Sequence, residues 1–260
     1  MLRTLATTFA VSAFLSTSAL AAIVTKDVDH TTKDGMVMQS FVAYDDAKEG
    51  ARPGILIVHD WMGLGKFTKA KAKELAAEGY VAMAVDMYGK GVRPANEEEA
   101  SIFATKYKND RALMRSHILS AYDQLASMKQ TDKDELLVMG YCFGGTTALE
   151  LARSGADLEG TVSFHGGLST PTPEDAKNIK GDVLVLHGAD DPLVPPSEVD
   201  AFKKEMDDAG VDLTFVSYPG AVHAFAVPGA GNDPKKGAAY NEEADKASWK
   251  EFRSFLDEVF

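Results

Sequence analysis

The chain has a single cysteine, Cys142, and it lies among glycines in Gly140-Tyr141-Cys142-Phe143-Gly144-Gly145. A nucleophile with glycine at i−2 and i+2 is the pattern of a strand-to-helix elbow, in which the central side chain stands clear of the sheet. The glycines have a steric reason, since side chains at either place would collide with the strand or the helix. The nucleophile here would be a thiol, and the Phe143 backbone N–H at the start of the next helix would face a developing oxyanion. A thiol nucleophile needs a base to hold or share its proton and an acid to orient that base. Asp191 and His223 follow in that order, each just past an apolar run. His223 would take the thiol proton or share it as a thiolate–imidazolium pair, with Asp191 supporting the charged ring. Asp190 is adjacent, and the chemistry alone leaves either aspartate open as the partner.

The elements that must position these residues are legible as short apolar runs alternating with helical segments. Residues 55–58, 80–85, 136–139, 160–164, 182–186 and 213–218 read as strands. Residues 67–78, 96–129 with a break near Asn109-Asp110, the segment from the elbow to about 154, 198–209 and 242–259 read as helices. The alternating piece 37–44 suggests an early strand or hairpin. Thr131-Asp132-Lys133-Asp134 reads as a turn, and the Gly/Pro-rich stretch 226–241 as irregular. Such alternation predicts an α/β fold with a mostly parallel central sheet and helices on both faces. Sites in sheets of this kind lie beyond the carboxyl ends of the strands. His59, Asp60, Asp86, Cys142, His165, Asp191 and His223 all fall there. The order nucleophile, acid, histidine is that of α/β-hydrolase triads.

Residues 1–21 read as a secretory signal peptide: Arg3 gives a basic start, residues 5–15 are mostly apolar, and Ser18-Ala19-Leu20-Ala21 ends in small residues. The apolar core is too short and too interrupted to span a bilayer. The expectation is an exported protein, periplasmic or secreted, with residues 22–260 as one α/β domain. Lys plus Arg total 27 and Asp plus Glu 39, for a net charge of −12. Removing the leader, which carries Arg3 and no acidic residue, makes it −13. That balance argues against nucleic acid and anionic membrane as partners. A lone cysteine has no disulfide partner in its own chain, so export would leave a free thiol exposed to oxidation unless it serves chemistry.

Three segments carry a resemblance to a known family: Gly140–Gly145, the run His187-Gly188-Ala189-Asp190-Asp191-Pro192-Leu193-Val194-Pro195, and Tyr218-Pro219-Gly220-Ala221-Val222-His223-Ala224-Phe225. The chain resembles the dienelactone hydrolase family of α/β-hydrolases over about residues 30 to 258. The resemblance implies Cys142 as nucleophile, Asp191 as acid and His223 as base. It also implies an oxyanion site at the backbone N–H groups of Phe143 and Trp61. Two departures stand out. The family's archetypes carry a glutamate that meets the resting thiol, where this chain has the shorter Asp60. They also hold a substrate carboxylate with arginines, where the matching loop offers Tyr88, Lys90 and, further on, Arg93. Together with His165, these form the accessory positions of the pocket.

The expected function is hydrolysis of a small ester or lactone through an acyl-enzyme, without cofactor or metal. The histidines show no metalloprotease spacing, and Gly140–Gly145 lacks the lysine and glycine spacing of a P-loop or dinucleotide fingerprint. The competing expectation is a catalytically idle protein that binds a small ligand on the same fold. A thiol used only in redox sensing is weaker, because no resolving cysteine exists. Oligomeric state is not legible in the sequence.

Overall fold

In the strand at residues 55–58, alternation sends Ile55 and Ile57 to one face of the sheet and Leu56 and Val58 to the other. All four are fully buried, as a central parallel strand covered on both faces requires. The computed structural model describes residues 23–260, so the leader assigned to residues 1–21 lies outside them. The strands are β1 (Ile23–Thr31), β2 (Val37–Asp45), β3 (Arg52–Val58), β4 (Val81–Val85), β5 (Thr131–Tyr141), β6 (Gly160–Phe164), β7 (Asp182–Gly188) and β8 (Leu213–Tyr218). They form one sheet in the order β1-β2-β4-β3-β5-β6-β7-β8. β1 and β2 pair antiparallel, β2 is antiparallel to β4, and every other pairing is parallel.

The helices are α1 (Lys66–Glu78), α2 (Glu97–Asn109), α3 (Arg111–Ala126), α4 (Phe143–Arg153), α5 (Pro196–Ala209) and α6 (Glu242–Val259). Leu75 of α1 and Phe252 of α6 cover the face that carries Ile55 and Leu184. Tyr107, Ile118 and Leu151, from α2, α3 and α4, cover the Leu56 face. Phe202 of α5 packs on that same side, against Val183 and Val185. The break expected near 109–110 has a physical agent, since the Asp110 carboxylate accepts the Leu113 N–H at 2.9 Å and starts α3 as α2 ends. Among the described residues no helix is long and apolar enough to cross a membrane.

Two expectations need correction. Residues 131–134 are not a turn but the start of β5, where Thr131 and Asp132 pair with Arg52 and Pro53 before the register shifts. Lys133 and Asp134 are exposed at the sheet's amino end while Thr131 is buried, so the polar composition accompanies an extended strand rather than a change of direction. The hairpin at the amino end of the domain also begins earlier than residue 37. β1 is an edge strand with one neighbour and mostly exposed or half-buried side chains, so it shows no clean alternation.

Candidate active site

Cys142 occupies the turn between β5 and α4 with φ 55°. Its N–H donates to the Phe164 carbonyl at 3.0 Å, and its own carbonyl accepts from Gly145 N at 3.0 Å. Backbone lies against backbone on every side of this turn. A Cβ on Gly140 would overlap the Gly144 carbonyl, and one on Gly144 would overlap the Val58 carbonyl. A Cβ on Gly145 would sit 3.0 Å from Gly166 Cα and 2.5 Å from Ser163 Oγ. The three non-glycine residues with positive φ among the described residues are Cys142, His165 (41°) and Ala224 (59°). Cys142 and His165 directly follow β5 and β6, and Ala224 adjoins His223 in the loop after β8; left-handed backbone away from glycine is a mark of functional turns.

The sheet brings the nucleophile, acid and base together. His223 Nε2 lies 3.0 Å from Cys142 Sγ, and His223 Nδ1 lies 2.8 Å from Asp191 Oδ2. The other Asp191 oxygen accepts the Leu193 N–H at 2.8 Å, which fixes the carboxylate. Asp190 points elsewhere, accepting from Gly220 N at 3.1 Å, so the choice that chemistry left open falls to Asp191. Burial opposes a charge on His223, but the hydrogen bonds and negative charges of Asp191 and Cys142 outweigh it and push its pKa up to about 10. The His223 imidazole therefore carries its second proton at neutral pH, with Nε2 facing the Cys142 sulfur.

The loop after β3 supplies the other wall. Among the described residues neither the Phe143 nor the Trp61 backbone N–H donates a hydrogen bond, which leaves both for a ligand oxygen. Tyr88 ties this loop down, its hydroxyl donating to the Trp61 carbonyl at 3.0 Å. Burial, then the charges of Asp60 and Cys142, push the Tyr88 phenol up. Asp60 accepts the Met62 N–H at 2.8 Å, and burial raises its carboxyl above the ordinary value. Lys90 turns away to an ion pair with Asp29 on β1, half exposed. Arg93 donates to the Leu64 carbonyl at 2.8 Å and pairs with buried Asp86 at 3.2 Å. His165 is buried beside His223, yet neither of its ring nitrogens has a hydrogen-bond partner among the described residues. His187 Nδ1 is likewise without one. Aromatic packing against Tyr141, His223 and Phe225 surrounds the His165 ring.

Two features escaped the sequence reading. His59 accepts the Met87 N–H on Nε2 at 3.3 Å and donates from Nδ1 to the Asp60 carbonyl. It thus fastens the loop carrying Trp61 to the end of β4, while its ring stacks on Phe143 at 5.8 Å. Burial, against the pull of the Asp60 carbonyl, holds it neutral, with a pKa lowered to about 4. Its position at a strand end was the only available signal. The second feature is the Gly/Pro-rich stretch before α6. His223 N donates to the Gly237 carbonyl at 3.2 Å, Ala239 N to the His223 carbonyl at 2.9 Å, and Gly237 packs on Pro192. This irregular segment pins the base's loop to the acid's loop, and nothing in its composition announces that.

A mostly parallel sheet with Cys, Asp and His at the ends of β5, β7 and β8 defines a cysteine-dependent hydrolase of the α/β-hydrolase class. The chain belongs to the dienelactone hydrolase family, whose model matches residues 38–260. It is 28% identical over 263 residues to a Saccharolobus solfataricus protein named "Putative carboxymethylenebutenolidase", covering 87% of this chain and 96% of that one. Among solved structures it is similar to m3DLH, with TM-score 0.88 and 37% identity over 92% of this chain and 99% of that one. A dienelactone hydrolase-like promiscuous phosphotriesterase, P91 from metagenomic libraries, superposes with TM-score 0.86 and 35% identity over the same shares. Family and triad together make the chain an enzyme that hydrolyses small esters or lactones through an acyl-enzyme.

Proposed function

We propose that the substrate is a small carboxylic ester or lactone that carries no carboxylate of its own. The single observation behind this reading is that Lys90 and Arg93, the cations of the loop after β4, are already paired with Asp29 and Asp86. Asp60 adds an acidic group to the same wall. In the proposed cycle the Cys142 thiolate adds to the carbonyl carbon, and the N–H groups of Phe143 and Trp61 receive the oxyanion. Collapse expels the alkoxide, which takes the proton from His223 Nε2 and leaves a thioester. Water then adds to the thioester and gives its proton to His223. Release of the acid restores the thiolate–imidazolium pair.

Hydrolysis of p-nitrophenyl acetate, a neutral lactone and a carboxylate-bearing lactone tests the reading in the wild type, Cys142→Ala and His223→Ala. We expect the neutral substrates to have the higher kcat/KM and either variant to lose on the order of a thousandfold. Equal rates in all three proteins would sink the mechanism. A preference for the carboxylate-bearing lactone would sink only the substrate assignment. A neutral phosphotriester belongs in the panel because the similar P91 protein is described as a promiscuous phosphotriesterase.

A further inference from the structure

His165 takes no part in the hydrogen bonds of the triad, yet its backbone is held in the left-handed region at φ 41°. Its N–H donates to the Leu186 carbonyl at 2.8 Å, which fixes it between the strand leading to Cys142 and the strand leading to Asp191. The side chain is 1% exposed, so it offers substrate nothing directly. Its ring meets His223 edge-to-face, with centroids 5.4 Å apart and planes at 63°. Phe225 closes another side at 5.2 Å and 80°. The contact between the two rings is an aromatic one, edge against face, rather than a hydrogen bond. A cation within about 6 Å of an aromatic ring is drawn to its electron-rich face, and more strongly where water is excluded.

We propose that His165 is a positioning residue whose neutral ring supports the charged His223 imidazolium and so favours the thiolate form of Cys142 before substrate arrives. The proposal rests on the acyl-transfer reading of the site. Burial, then the charge of His223, hold the His165 imidazole well below its ordinary pKa, so it does not compete for the proton. The other titratable groups acting on His223 are Cys142, Asp191 and His187. The first two hydrogen-bond it, whereas burial keeps His187 below its ordinary pKa.

The test compares His165→Asn, whose amide side chain tolerates the left-handed backbone but removes the aromatic face, with His165→Phe, which keeps the face and removes the nitrogens. Iodoacetamide labelling of Cys142 is followed by mass spectrometry from pH 4 to 10, beside kcat and KM. In the Asn variant labelling at neutral pH should slow about tenfold, with the half-maximal pH about one unit higher, while KM stays unchanged. The Phe variant should label within about threefold of wild type. A wild-type labelling profile in the Asn variant overturns the proposal, even if hydrolysis is lost. So does a Phe variant that behaves like the Asn variant, since the nitrogens would then matter. Labelling requires no turnover. A protein that labels as expected but hydrolyses no ester would overturn the hydrolytic reading and leave this one standing.

Discussion

The proton between Cys142 and His223 sets the chemistry, and Asp191 decides where it rests. An imidazole raised to about 10 keeps its Nε2–H through neutral pH, ready for the leaving alkoxide. Asp191 contributes both charge and geometry, because its second oxygen is fixed by Leu193 N and the first is left to face Nδ1. Asp191→Asn keeps the shape and removes the charge, and the amide nitrogen can turn toward the ring and favour the wrong tautomer. We expect kcat for p-nitrophenyl acetate to fall by on the order of 10³, and the thermal midpoint at neutral pH to drop as the charged His223 loses its main partner. A loss below tenfold would show that the carboxylate's charge is dispensable. The intact trio also separates a catalyst from an idle binder, since ligand capture has no need of a thiol, a base and an acid in hydrogen-bonded sequence.

At the scale of elements, α4 is the part that everything else aims. Its first turn is wedged between the loop after β3 and the turn after β6, touching both through glycines. Its far end is held by buried charge. Glu150 accepts from Arg115 of α3 at 2.8 Å and from Arg153 at 3.2 Å, and Arg153 reaches Glu205 of α5 at 2.7 Å. Such a network is specific in direction as long as every member is paired. A methyl group on Gly144 would strike the Val58 carbonyl and come within 2.7 Å of the His59 carbonyl, so the loop bearing the Trp61 N–H must retreat. Gly144→Ala is therefore expected to cost about 1–3 kcal/mol of stability and on the order of a hundredfold in kcat. Gly229→Ala, which meets nothing within 4 Å, is the control for both measurements. Loss of stability without loss of kcat would mean that α4 does not set the oxyanion site.

Over the whole molecule, histidine burial sets the pH range in which the fold is strongest. His59 and His30 are lowered from 6.5 to about 4, chiefly by burial. A group depressed in this way contributes stability above 6.5 that is lost as pH falls toward 4, and full loss at His59 is of order 3 kcal/mol. His223 has the opposite sign, so its contribution is complete below 6.5 and disappears as pH rises through about 10. The thermal midpoint should decline between pH 6.5 and 4.5, where ordinary carboxylates are still ionised, and again toward pH 10. His59→Gln should flatten the acid side, and a level midpoint from 6.5 to 4.5 would refute the assignment. How much of this was legible beforehand depends on range. The elbow, the helix break at Asp110, the buried central strands and the order Cys142, Asp191, His223 rest on local sterics and periodicity, which act between neighbours and so are written in the sequence. Residues 131–134 and β1 misled because strand pairing, not composition, made them extended. The choice of Asp191 over Asp190 by geometry, the diversion of Lys90 and Arg93 to Asp29 and Asp86, the bare ring of His165 and the clasp of Gly237 on the catalytic loops belong to the tertiary structure. Each depends on which distant groups meet within about 3 to 5 Å, and such separations are decided only when the sheet, its helices and its loops close on one another.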